Sequence, residues 1–493
     1  MYLKELISEL QIKEVKGNLE LDITGIAYDS RKAKDGFVFV CIEGTKMDGH
    51  LFLDFAIQNG ARALLVQKEV IVPEGITVIR VEDTRYALAA ISDTFYHHPS
   101  GKFKLVGVTG TKGKTTTTYM IKSILNKAKR KVGLVGTLGT QIGDEFVPTE
   151  RTTPESYDLQ ALFSEMNGKN IDSVVMEVSS QGLALHRVSC CEYEIGVFTN
   201  ISQDHIGPHE HLTFEDYLNA KKKLFAMCKK SLINIDAKYA EDILKSATSE
   251  ILTFGIDGQA DILAKDIQKY ADKVEFSVVT PWFQGEIKVN IPGKFSIYNA
   301  LAAIGVCGMM GISYDAIKTG LETINVPGRA EVIYSGEDFT VITDYAHTPD
   351  SLENILSTFK AFAQGRLVCV FGCGGDRDRT KRPVMGEISG KISDFTIITS
   401  DNPRTEEPEG IINEIETGIK KTNGEYITMI DRREAIKYAI EHAKMKDIIV
   451  LAGKGHETYQ MFRDKTIHFD EREVVKEILD GLYQLTGENE CKH

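Results

Sequence analysis

Short apolar runs alternate with longer amphipathic segments along the whole chain. The short runs are bounded by Gly, Pro or polar clusters, which predicts buried strands, and the segments between them carry apolar residues at helical spacing, which predicts helices. This alternation is typical of largely parallel sheets covered by helices. The sequence therefore predicts an α/β protein in which each domain is built on a mostly parallel or mixed sheet.

The length of the chain requires more than one domain. Domains usually contain about 100 to 200 residues, and this chain has 493. We predict three, at residues 1–98, 99–327 and 328–493. The predicted strands are 38–40, 63–66 and 78–81 in the first domain, 105–108, 132–135, 173–178 and 195–199 in the second, and 340–343, 367–371, 395–399 and 447–451 in the third.

One glycine-rich turn follows the strand 105–108 and precedes a predicted helix at 119–128. Its residues are Thr109, Gly110, Thr111, Lys112, Gly113, Lys114 and Thr115. Glycines let backbone N–H groups surround a phosphate, Lys114 can reach the terminal phosphates, and Thr115 can offer a hydroxyl to Mg²⁺. The usual pattern has Gly where this chain has Val108. The sequence predicts a P-loop ATPase domain at the centre of the chain.

Polar residues follow the next strands of that domain, with Glu177 after one strand and His205 after another. Ligands of open α/β sheets bind beyond the carboxyl ends of the strands, so we expect both residues to meet the phosphates through a metal ion. Three histidines between 205 and 211 also suggest zinc. Gly207-Pro208 interrupts any helix there and the phosphate loop favours Mg²⁺, so magnesium is preferred.

Each of the four strands in the third domain is followed at once by a polar cluster. The clusters are 344–347, 372–379, 401–404 and 453–457. Arg377 and Arg404 could bind carboxylates through bidentate forks, and Glu457 could bind an ammonium group. A ligand that carries both a carboxylate and an ammonium group fits the description of an amino acid. An amino-acid site in one domain and an ATP site in another indicate ATP-driven amide formation.

Composition excludes several other classes of protein. The net charge of -13 argues against nucleic acid as a partner, and no apolar stretch approaches the ~18 residues of a membrane span. We expect a cytoplasmic protein without membrane insertion. The eight cysteines show no paired CxxC spacing and are expected to be reduced thiols.

The sequence resembles the Mur ligase family over nearly its whole length. The resemblance is carried by many ordered motifs: Asp29-Ser30-Arg31, the phosphate loop, Thr152-Thr153-Pro154, Glu177 to Ser180, His186-Arg187, Thr199-Asn200, Asp204-His205, 217–225, Asn299, Pro327-Gly328-Arg329, and the four clusters of the third domain. The resemblance implies three domains, which bind a UDP-sugar, ATP and an incoming amino acid, the last domain being Rossmann-like.

The resemblance also implies a role for particular residues. ATP would be bound by the phosphate loop with Thr116, Asn299, Arg329, Asp344 and His347. The UDP end of the UDP-substrate would be bound by Ser30 and the loop from Thr45 to His50, and its muramoyl-peptide by Thr152, Thr153, Ser179 and Arg187. The amino acid would be bound by Arg377, Asp401, Asn402, Arg404, Gly453 and Glu457. Catalysis would rest on Lys114, Glu177, His205 and Lys221, and the metal on Thr115, Glu177, His205 and Lys221.

Lys221 lies in a run of three lysines that composition alone would place on a solvated helix face. The resemblance implies instead that Lys221 is carbamylated to N6-carboxylysine, which converts a cation into an anion that can position Mg²⁺.

The implied reaction adds the third residue to UDP-N-acetylmuramoyl-L-alanyl-D-glutamate through an acyl phosphate. It belongs to peptidoglycan precursor synthesis, and hence to cell-wall biogenesis, cell shape and cell division. Arg404 favours meso-diaminopimelate as the added residue, because its second carboxylate would pair with the guanidinium. Ile206-Gly207-Pro208 resembles a branch that includes lysine-adding members, so lysine stays open.

Two other interpretations remain. Another amide ligase of the superfamily, such as a folylpolyglutamate synthase or a dipeptide-adding ligase, is disfavoured by Asp401-Asn402-Pro403-Arg404 and by 453–457. A P-loop switch or transport ATPase would not need four polar strand ends in a third domain. We expect a monomer.

Overall fold

The computed structural model describes residues 1–44, 47–149, 151–203, 206–207, 210–270 and 272–490, with side chains as far as 482. It is an α/β structure with several sheets, as predicted. The chain divides into two compact units, each described separately below. The first unit comprises Met1–Lys265, Ser277–Glu286 and Tyr298–Leu321, and the second Asp266–Phe276, Ile287–Ile297 and Glu322–His493. The predicted boundaries near 98 and 327 stay a prediction.

The N-terminal part of the first unit forms a five-stranded sheet of order β1-β5-β4-β3-β2, parallel except for β1. Apolar side chains cover both of its faces in two buried clusters. Its elements are α1 Leu3–Leu6, β1 Ile12–Lys16, β2 Gly25–Ala27, β3 Phe37–Val40, α2 Leu53–Gln58, β4 Ala63–Val66, β5 Thr77–Val81 and α3 Thr84–Phe95.

The next sheet has eleven strands in the order β16-β15-β14-β13-β12-β11-β6-β10-β7-β8-β9. Its strands are β6 Lys104–Thr109, β7 Val132–Gly136, β8 Gly139–Ile142, β9 Glu145–Val147, β10 Ser173–Glu177, β11 Tyr193–Phe198, β12 Cys228–Asn234, β13 Glu250–Gly255, β14 Ile262–Lys269, β15 Val274–Val279 and β16 Gln284–Val289. Its helices are α4 Lys114–Lys127, α5 Ser156–Gly168, α6 Ser180–Ala184, α7 Phe214–Lys222, α8 Ala240–Ser246, α9 Lys294–Met309 and α10 Tyr314–Glu322.

The strands β12, β11, β6, β10 and β7 are parallel neighbours. Val106, Val108 and Val175 are fully buried. Burial on both faces explains why these strands are continuous apolar runs, and burying each such side chain contributes about 1.5–3 kcal/mol. The helix after β6 begins at Lys114, five residues before the predicted start, because Thr115 to Thr118 are buried inside it. A run of β-branched threonines is a weak helix signal, which tertiary packing overrode.

The second unit contains a six-stranded sheet of order β17-β18-β22-β19-β20-β21, in which only β17 is antiparallel to its neighbour. Its elements are β17 Glu331–Ser335, β18 Phe339–Asp344, α11 Pro349–Lys360, β19 Leu367–Phe371, α12 Lys381–Ile392, β20 Phe395–Ile398, α13 Pro408–Ile419, β21 Glu425–Thr428, α14 Arg432–Glu441, β22 Asp447–Ala452, β23 Tyr459–Met461, β24 Thr466–His468 and α15 Glu471–Glu490.

Four short 3₁₀ helices lie at Ser30–Lys32, Gly49–Phe52, Pro99–Lys102 and Lys223–Ala226. Over the described part of the chain, none of the helices combines the length and apolar character needed to cross a membrane. The seven described cysteines form no disulfide.

Candidate active site

The glycine-rich turn lies in the first unit, at the carboxyl ends of the parallel strands β10, β6 and β11. Thr109 pairs with Phe198 of β11, and Val108 pairs with Glu177 of β10, so these strands end at one level. Val108 is fully buried inside β6, and Gly110 is the first residue beyond the strand. The position where the usual pattern has Gly is therefore a strand residue in this protein, and the turn starts later.

Two glycines of the turn are required by its packing. Gly113 has a φ of +86° and directly precedes α4, and a Cβ there would collide with Oδ1 of Asn299. A Cβ on Gly110 would collide with Oγ1 of Thr199. The backbone of the turn is thus in direct contact with neighbouring polar side chains, and the N-terminus of α4 points its N–H groups into the same region.

Thr199 and Asn200 hold the turn in place. The Asn200 side chain accepts from the N–H of Lys112 at 2.9 Å and donates to the carbonyl of Lys112 at 3.0 Å. Thr199 donates to the same carbonyl at 2.7 Å. We had not assigned these two residues to the site, although both follow β11 directly, the position at which polar residues in a parallel sheet face ligands.

Glu177 is buried beside the phosphate loop. Its carboxylate accepts hydrogen bonds from Oγ1 of Thr115 at 3.0 Å, from the N–H of Thr137 at 2.9 Å and from Oγ1 of Thr137 at 3.1 Å. Only 1% of the residue is exposed. The structure thus brings the two predicted metal residues Thr115 and Glu177 together, and it adds Thr137, which no local sequence pattern indicated.

Two lysine side chains converge on one carbonyl oxygen of the turn. Nζ of Lys114 donates to the Gly110 carbonyl at 2.8 Å and Nζ of Lys221 donates to the same oxygen at 2.9 Å. Lys221 is buried on α7 and lies over the ring of Tyr217, with Nζ 4.5 Å from the ring centroid. Lys222 and Lys223 of the same run are not buried. The solvated-face interpretation therefore fails for Lys221, the residue that the family resemblance had distinguished.

The residues predicted to bind the muramoyl-peptide are close to Glu177. Thr153 donates to the carbonyl of Glu177 at 2.9 Å and accepts from the N–H of Ser179 at 3.0 Å. Arg187 donates to the Thr153 carbonyl at 3.2 Å, and Thr152 is 2.9 Å from Thr137 through their hydroxyl oxygens. Burial lowers the pKa of the Arg187 guanidinium, although it still lies 3.4 Å from the Glu155 carboxylate.

The predicted UDP residues Ser30 and His50 lie in the N-terminal sheet region. The ring of His50 pairs with Asp48 at 2.6 Å through Nδ1 and accepts from the N–H of Gln67 at 3.1 Å through Nε2. Lys68 pairs with Asp48 at 2.8 Å. Glu43, Asp48 and His50 lie close enough together for a metal site, but both ring nitrogens of His50 already contact protein atoms. The predictions for Thr45 and His205 lie outside the described residues.

In the second unit the four predicted clusters lie along one edge. Ala452 of β22 pairs with both Asp344 of β18 and Phe371 of β19, and Phe371 pairs with Ile398 of β20. Because these parallel strands end in register, the residues that follow them are neighbours. We call this edge, made of residues 344–347, 372–379, 401–404 and 453–457, the arginine edge.

A partly buried carboxylate, Glu457, and a buried amide, Asn402, meet at the arginine edge. Nδ2 of Asn402 donates to Oε2 of Glu457 at 2.8 Å, and Nζ of Lys454 donates to the same oxygen at 3.1 Å and to Oδ1 of Asn402 at 3.2 Å. Burial raises the pKa of Glu457, an effect that Lys454 opposes. A Cβ on Gly453 would lie 2.6 Å from the Asp401 carboxylate. Lys454 had not been predicted, although it lies within the cluster 453–457.

Arg404 and Arg377 both border Gly374. A Cβ on Gly374 would be 2.8 Å from Nη1 of Arg404 and 3.7 Å from Cγ of Arg377. Arg404 has a φ of +53°, and its Nη1 donates to the Gly375 carbonyl at 2.7 Å. Its own N–H donates to the Met461 carbonyl at 3.1 Å. Arg377 is exposed. Two side chains that carry guanidinium groups, Arg404 and Arg377, therefore lie next to the same glycine.

The three ATP residues predicted in the second unit also lie close together. The guanidinium of Arg329 stacks over the ring of Tyr345 at 4.9 Å, and the ring of His347 is 4.6 Å from the same ring. The Asp344 carboxylate accepts from the N–H of Ala330 at 2.7 Å. Burial raises the pKa of Tyr345 to about 12, so the ring is neutral. Tyr345 was missed as an organising residue, although it lies in a predicted cluster.

Comparison with known families matches most of the chain. The Mur ligase middle domain matches residues 108–307, the glutamate ligase domain of Mur ligases matches 328–455, and the catalytic domain of the Mur ligase family matches 22–96.

Two relatives match almost end to end. The UDP-N-acetylmuramoyl-L-alanyl-D-glutamate--2,6-diaminopimelate ligase of Caldanaerobacter subterraneus subsp. tengcongensis is 52% identical over 467 residues, which cover 94% of this chain and 96% of that protein. The UDP-N-acetylmuramoyl-L-alanyl-D-glutamate--2,6-diaminopimelate ligase 1 of Clostridium acetobutylicum is 48% identical over 486 residues, which cover 98% of this chain and 100% of that protein.

A solved structure of a UDP-N-acetylmuramoyl-L-alanyl-D-glutamate--2,6-diaminopimelate ligase has a TM-score of 0.71 and 31% identity, covering 98% of this chain and 99% of that chain. The α/β fold class is thereby confirmed.

Proposed function

Because this chain belongs to the Mur ligase family, we propose that it joins meso-diaminopimelate to the D-glutamate of UDP-N-acetylmuramoyl-L-alanyl-D-glutamate in an ATP-dependent amide ligation. The observation that carries the proposal is the arginine edge, where Asn402 donates to the carboxylate of Glu457 and Arg404, two residues further along the chain, donates to the Gly375 carbonyl. Opposite charges at one edge suit a ligand that has both an ammonium group and a second carboxylate.

The proposed reaction has two steps. The D-glutamyl carboxylate attacks the γ-phosphorus of ATP, which gives an acyl phosphate and releases ADP. The neutral amine of diaminopimelate then attacks the acyl carbon, displaces inorganic phosphate and loses a proton to form the amide. The N–H groups at the start of α4 and the ammonium of Lys114 would bind the phosphate oxygens, while Thr153, Ser179 and Arg187 would orient the muramoyl-peptide. Catalysis then consists mainly of positioning and charge neutralisation.

Thr115 and Glu177 fit Mg²⁺. A hydroxyl and a carboxylate are hard oxygen donors, which Mg²⁺ prefers, and they are already 3.0 Å apart. Mg²⁺ would supply neutralisation of the phosphate charge. In this proposal Thr137 orients the Glu177 carboxylate by donating to both of its oxygens.

We also propose that Lys221 carries the carbamate. Its ammonium and that of Lys114 donate to one carbonyl oxygen in a buried region, where two like charges repel. Once the ammonium has lost a proton to solvent, the neutral Lys221 amine can add CO₂ and release a second proton, which gives an anionic carbamate that would pair with Lys114. Incubating the protein with ¹³C-bicarbonate should give a carbamate carbon signal that is lost in Lys221→Gln and retained in Lys222→Gln. An unchanged signal in both variants would contradict the assignment.

ATP and UDP-linked substrates are cytoplasmic, and we place the reaction there. We further propose that the protein acts as a monomer, which the molar mass from light scattering would test.

The test of the proposed function measures products directly. The protein is incubated with Mg²⁺, ATP and UDP-N-acetylmuramoyl-L-alanyl-D-glutamate, with meso-diaminopimelate or L-lysine in parallel, and the product mass is recorded. A tripeptide with diaminopimelate alone is expected. Product with lysine alone would preserve the ligase but remove the argument from Arg404. Phosphate released from ATP without either product would favour the switch ATPase.

A further inference from the structure

An arginine and a glutamate form a fully buried ion pair in the second unit. Nε and Nη2 of Arg432 donate to Oε1 of Glu471 at 2.9 and 2.7 Å, and both side chains are 0% exposed. Arg432 is the first residue of α14 and Glu471 is the first residue of α15. Neither residue belongs to the sites described above.

The remaining hydrogen bonds of this pair reach three strand ends of the arginine edge. Nη2 of Arg432 donates to the Ala452 carbonyl at 2.9 Å, and Nη1 donates to the Ser400 carbonyl at 3.4 Å. Thr343 donates through Oγ1 to Oε2 of Glu471 at 2.5 Å. The next residue along the chain is in each case a predicted site residue, namely Gly453, Asp401 and Asp344.

Stability alone is a weak reason for such a pair. Removing two charges from water costs about as much as their attraction returns, and replacing buried pairs by apolar residues is often neutral or stabilising. A guanidinium differs from an apolar side chain in that its planar donors fix several acceptors at defined angles. The pair is therefore suited to setting the relative positions of the strand ends that it touches.

We propose that Arg432 and Glu471 are positioning residues for the amino-acid site. Arg432 fixes the carbonyls before Asp401 and Gly453, and Glu471, anchored by Thr343, fixes the orientation of the guanidinium. The two clusters that would bind diaminopimelate are thereby kept at the separation that the ligand requires. The inference rests on the proposed function for the identity of that ligand.

A purely structural role would be to join α14 to α15. The neighbouring pair Arg433 and Glu477 also joins these helices, with 2.6 Å between Nη2 and Oε2, but it is exposed, with side chains 48% and 58% accessible. No strand end is among the bonds described for it. This pair provides a matched control on the same two helices.

The first experiment compares the double variants Arg432→Met/Glu471→Leu and Arg433→Met/Glu477→Leu. In the buried variant we expect kcat/KM for diaminopimelate to fall by about 10- to 100-fold, as for a small misplacement of binding groups, with KM for ATP changed less than about threefold. The control variant should keep both values. Equal loss for ATP and diaminopimelate, or no loss, would overturn the proposal.

A conservative variant separates geometry from charge. Glu471→Gln keeps an oxygen acceptor for Arg432, and its amide can donate to the hydroxyl of Thr343. We expect it to recover most of the diaminopimelate KM that Glu471→Leu loses. If Gln and Leu raise this KM equally, the hydrogen-bond geometry does not position the site.

Hydrogen exchange tests the positioning without any substrate. In the buried double variant, the backbone N–H groups of 401–402 and 453–457 should exchange at least about tenfold faster, whereas those inside β19 and β22 should not. Unchanged exchange at these residues would overturn the inference even if the ligase is active. If the buried variant exchanges faster but the unaltered protein makes no tripeptide, the positioning role is upheld and the proposed function is rejected.

Discussion

The phosphate-loop edge of the first unit, made of residues 109–115, 177–179 and 199–200, and the arginine edge of the second unit are both carboxyl ends of parallel strands, but they are built differently. At the phosphate-loop edge, backbone groups are held by short neutral side chains and by two lysines: Asn200 bonds both backbone groups of Lys112, and Lys114 and Lys221 donate to the Gly110 carbonyl. At the arginine edge, charged side chains do most of the holding. Two fully buried arginines, Arg382 and Arg432, lie next to this edge: Nη2 of Arg382 donates to the Gly374 carbonyl at 3.3 Å, and Arg432 donates to the carbonyls of Ser400 and Ala452.

The difference follows from what each edge would bind. A phosphate is satisfied by converging N–H groups, which need glycine and close packing. A zwitterionic amino acid needs fixed charges of both signs, and buried charges are stable only when they are paired and hydrogen-bonded. A single residue change should therefore act on chemistry at the first edge and on one substrate at the second.

The largest effect should follow from replacing Lys114 by Met. The lost ammonium donates to the Gly110 carbonyl in the turn that would bind the transferring phosphate, and removing such a group typically costs about 10²–10³ in kcat. Product formation under saturating substrates measures it. Lys127→Met, an exposed change on the same helix, is the control. If Lys114→Met lowers the affinity for diaminopimelate and leaves kcat unchanged, the two edges do not differ in the way described.

Replacing Arg404 by Ala should affect diaminopimelate alone. Losing charge-assisted hydrogen bonds to a carboxylate costs about 10- to 100-fold in kcat/KM. The control is Arg463→Ala, which removes an exposed neighbour that donates to the Thr405 carbonyl at 2.6 Å. Titrations of ATP and diaminopimelate should show the loss only for the latter. Equal loss for both substrates would remove Arg404 from the amino-acid site.

Replacing Gly113 by Ala tests the backbone-built edge. A side chain at a φ of +86° that also meets Asn299 should lower the free energy of unfolding by about 1–3 kcal/mol and raise KM for ATP. Denaturant titration measures the first effect. Gly168→Ala, where a Cβ meets nothing within 4 Å, should be neutral or stabilising. Similar losses in both variants would mean that packing at the turn is not special.

The last effect concerns pH and His456, which lies in the arginine edge. Burial, followed by the charge of Arg329, lowers the pKa of its imidazole to about 3. The unfolded chain binds this proton near pH 6.5 and the folded chain does not, so stability falls as pH drops from about 6.5 to 3, by at most about 1.4 kcal/mol per pH unit. In His456→Gln that component should be absent.

Unfolding midpoints of the unaltered protein and of His456→Gln between pH 4 and 7 would check that the stability of the variant depends less on pH. His468 gives the opposite sign, because Glu473 raises the pKa of its ring. The stability it contributes is present below its unfolded pKa and is lost as pH rises through the folded value. If His468→Gln and His456→Gln change the pH dependence in the same direction, burial is not the cause.

Local patterns predicted eleven strands, and each overlaps a strand of the structure, because the physics of a buried strand is local; other described strands, such as β12 and β13, were not predicted. The strands Ala63–Val66 and Leu367–Phe371 coincide with their predicted ranges, and the four strand-end clusters of the second unit do lie on one edge. The start of α4 was predicted too late, because the sequence does not reveal that four threonines are packed inside. The assigned roles of the site residues stay predictions.

The sequence by itself determined the alternation of strands and helices, the glycine turn before Lys114 and the polar ends of the strands, because each depends on neighbours in the chain. Only the tertiary structure decided that Lys114 and Lys221, 107 positions apart in the numbering, donate to one carbonyl, and that Arg432 and Glu471 contact three strand ends. Such contacts depend on sheet order and on which charges become buried together, and no local pattern contains that information.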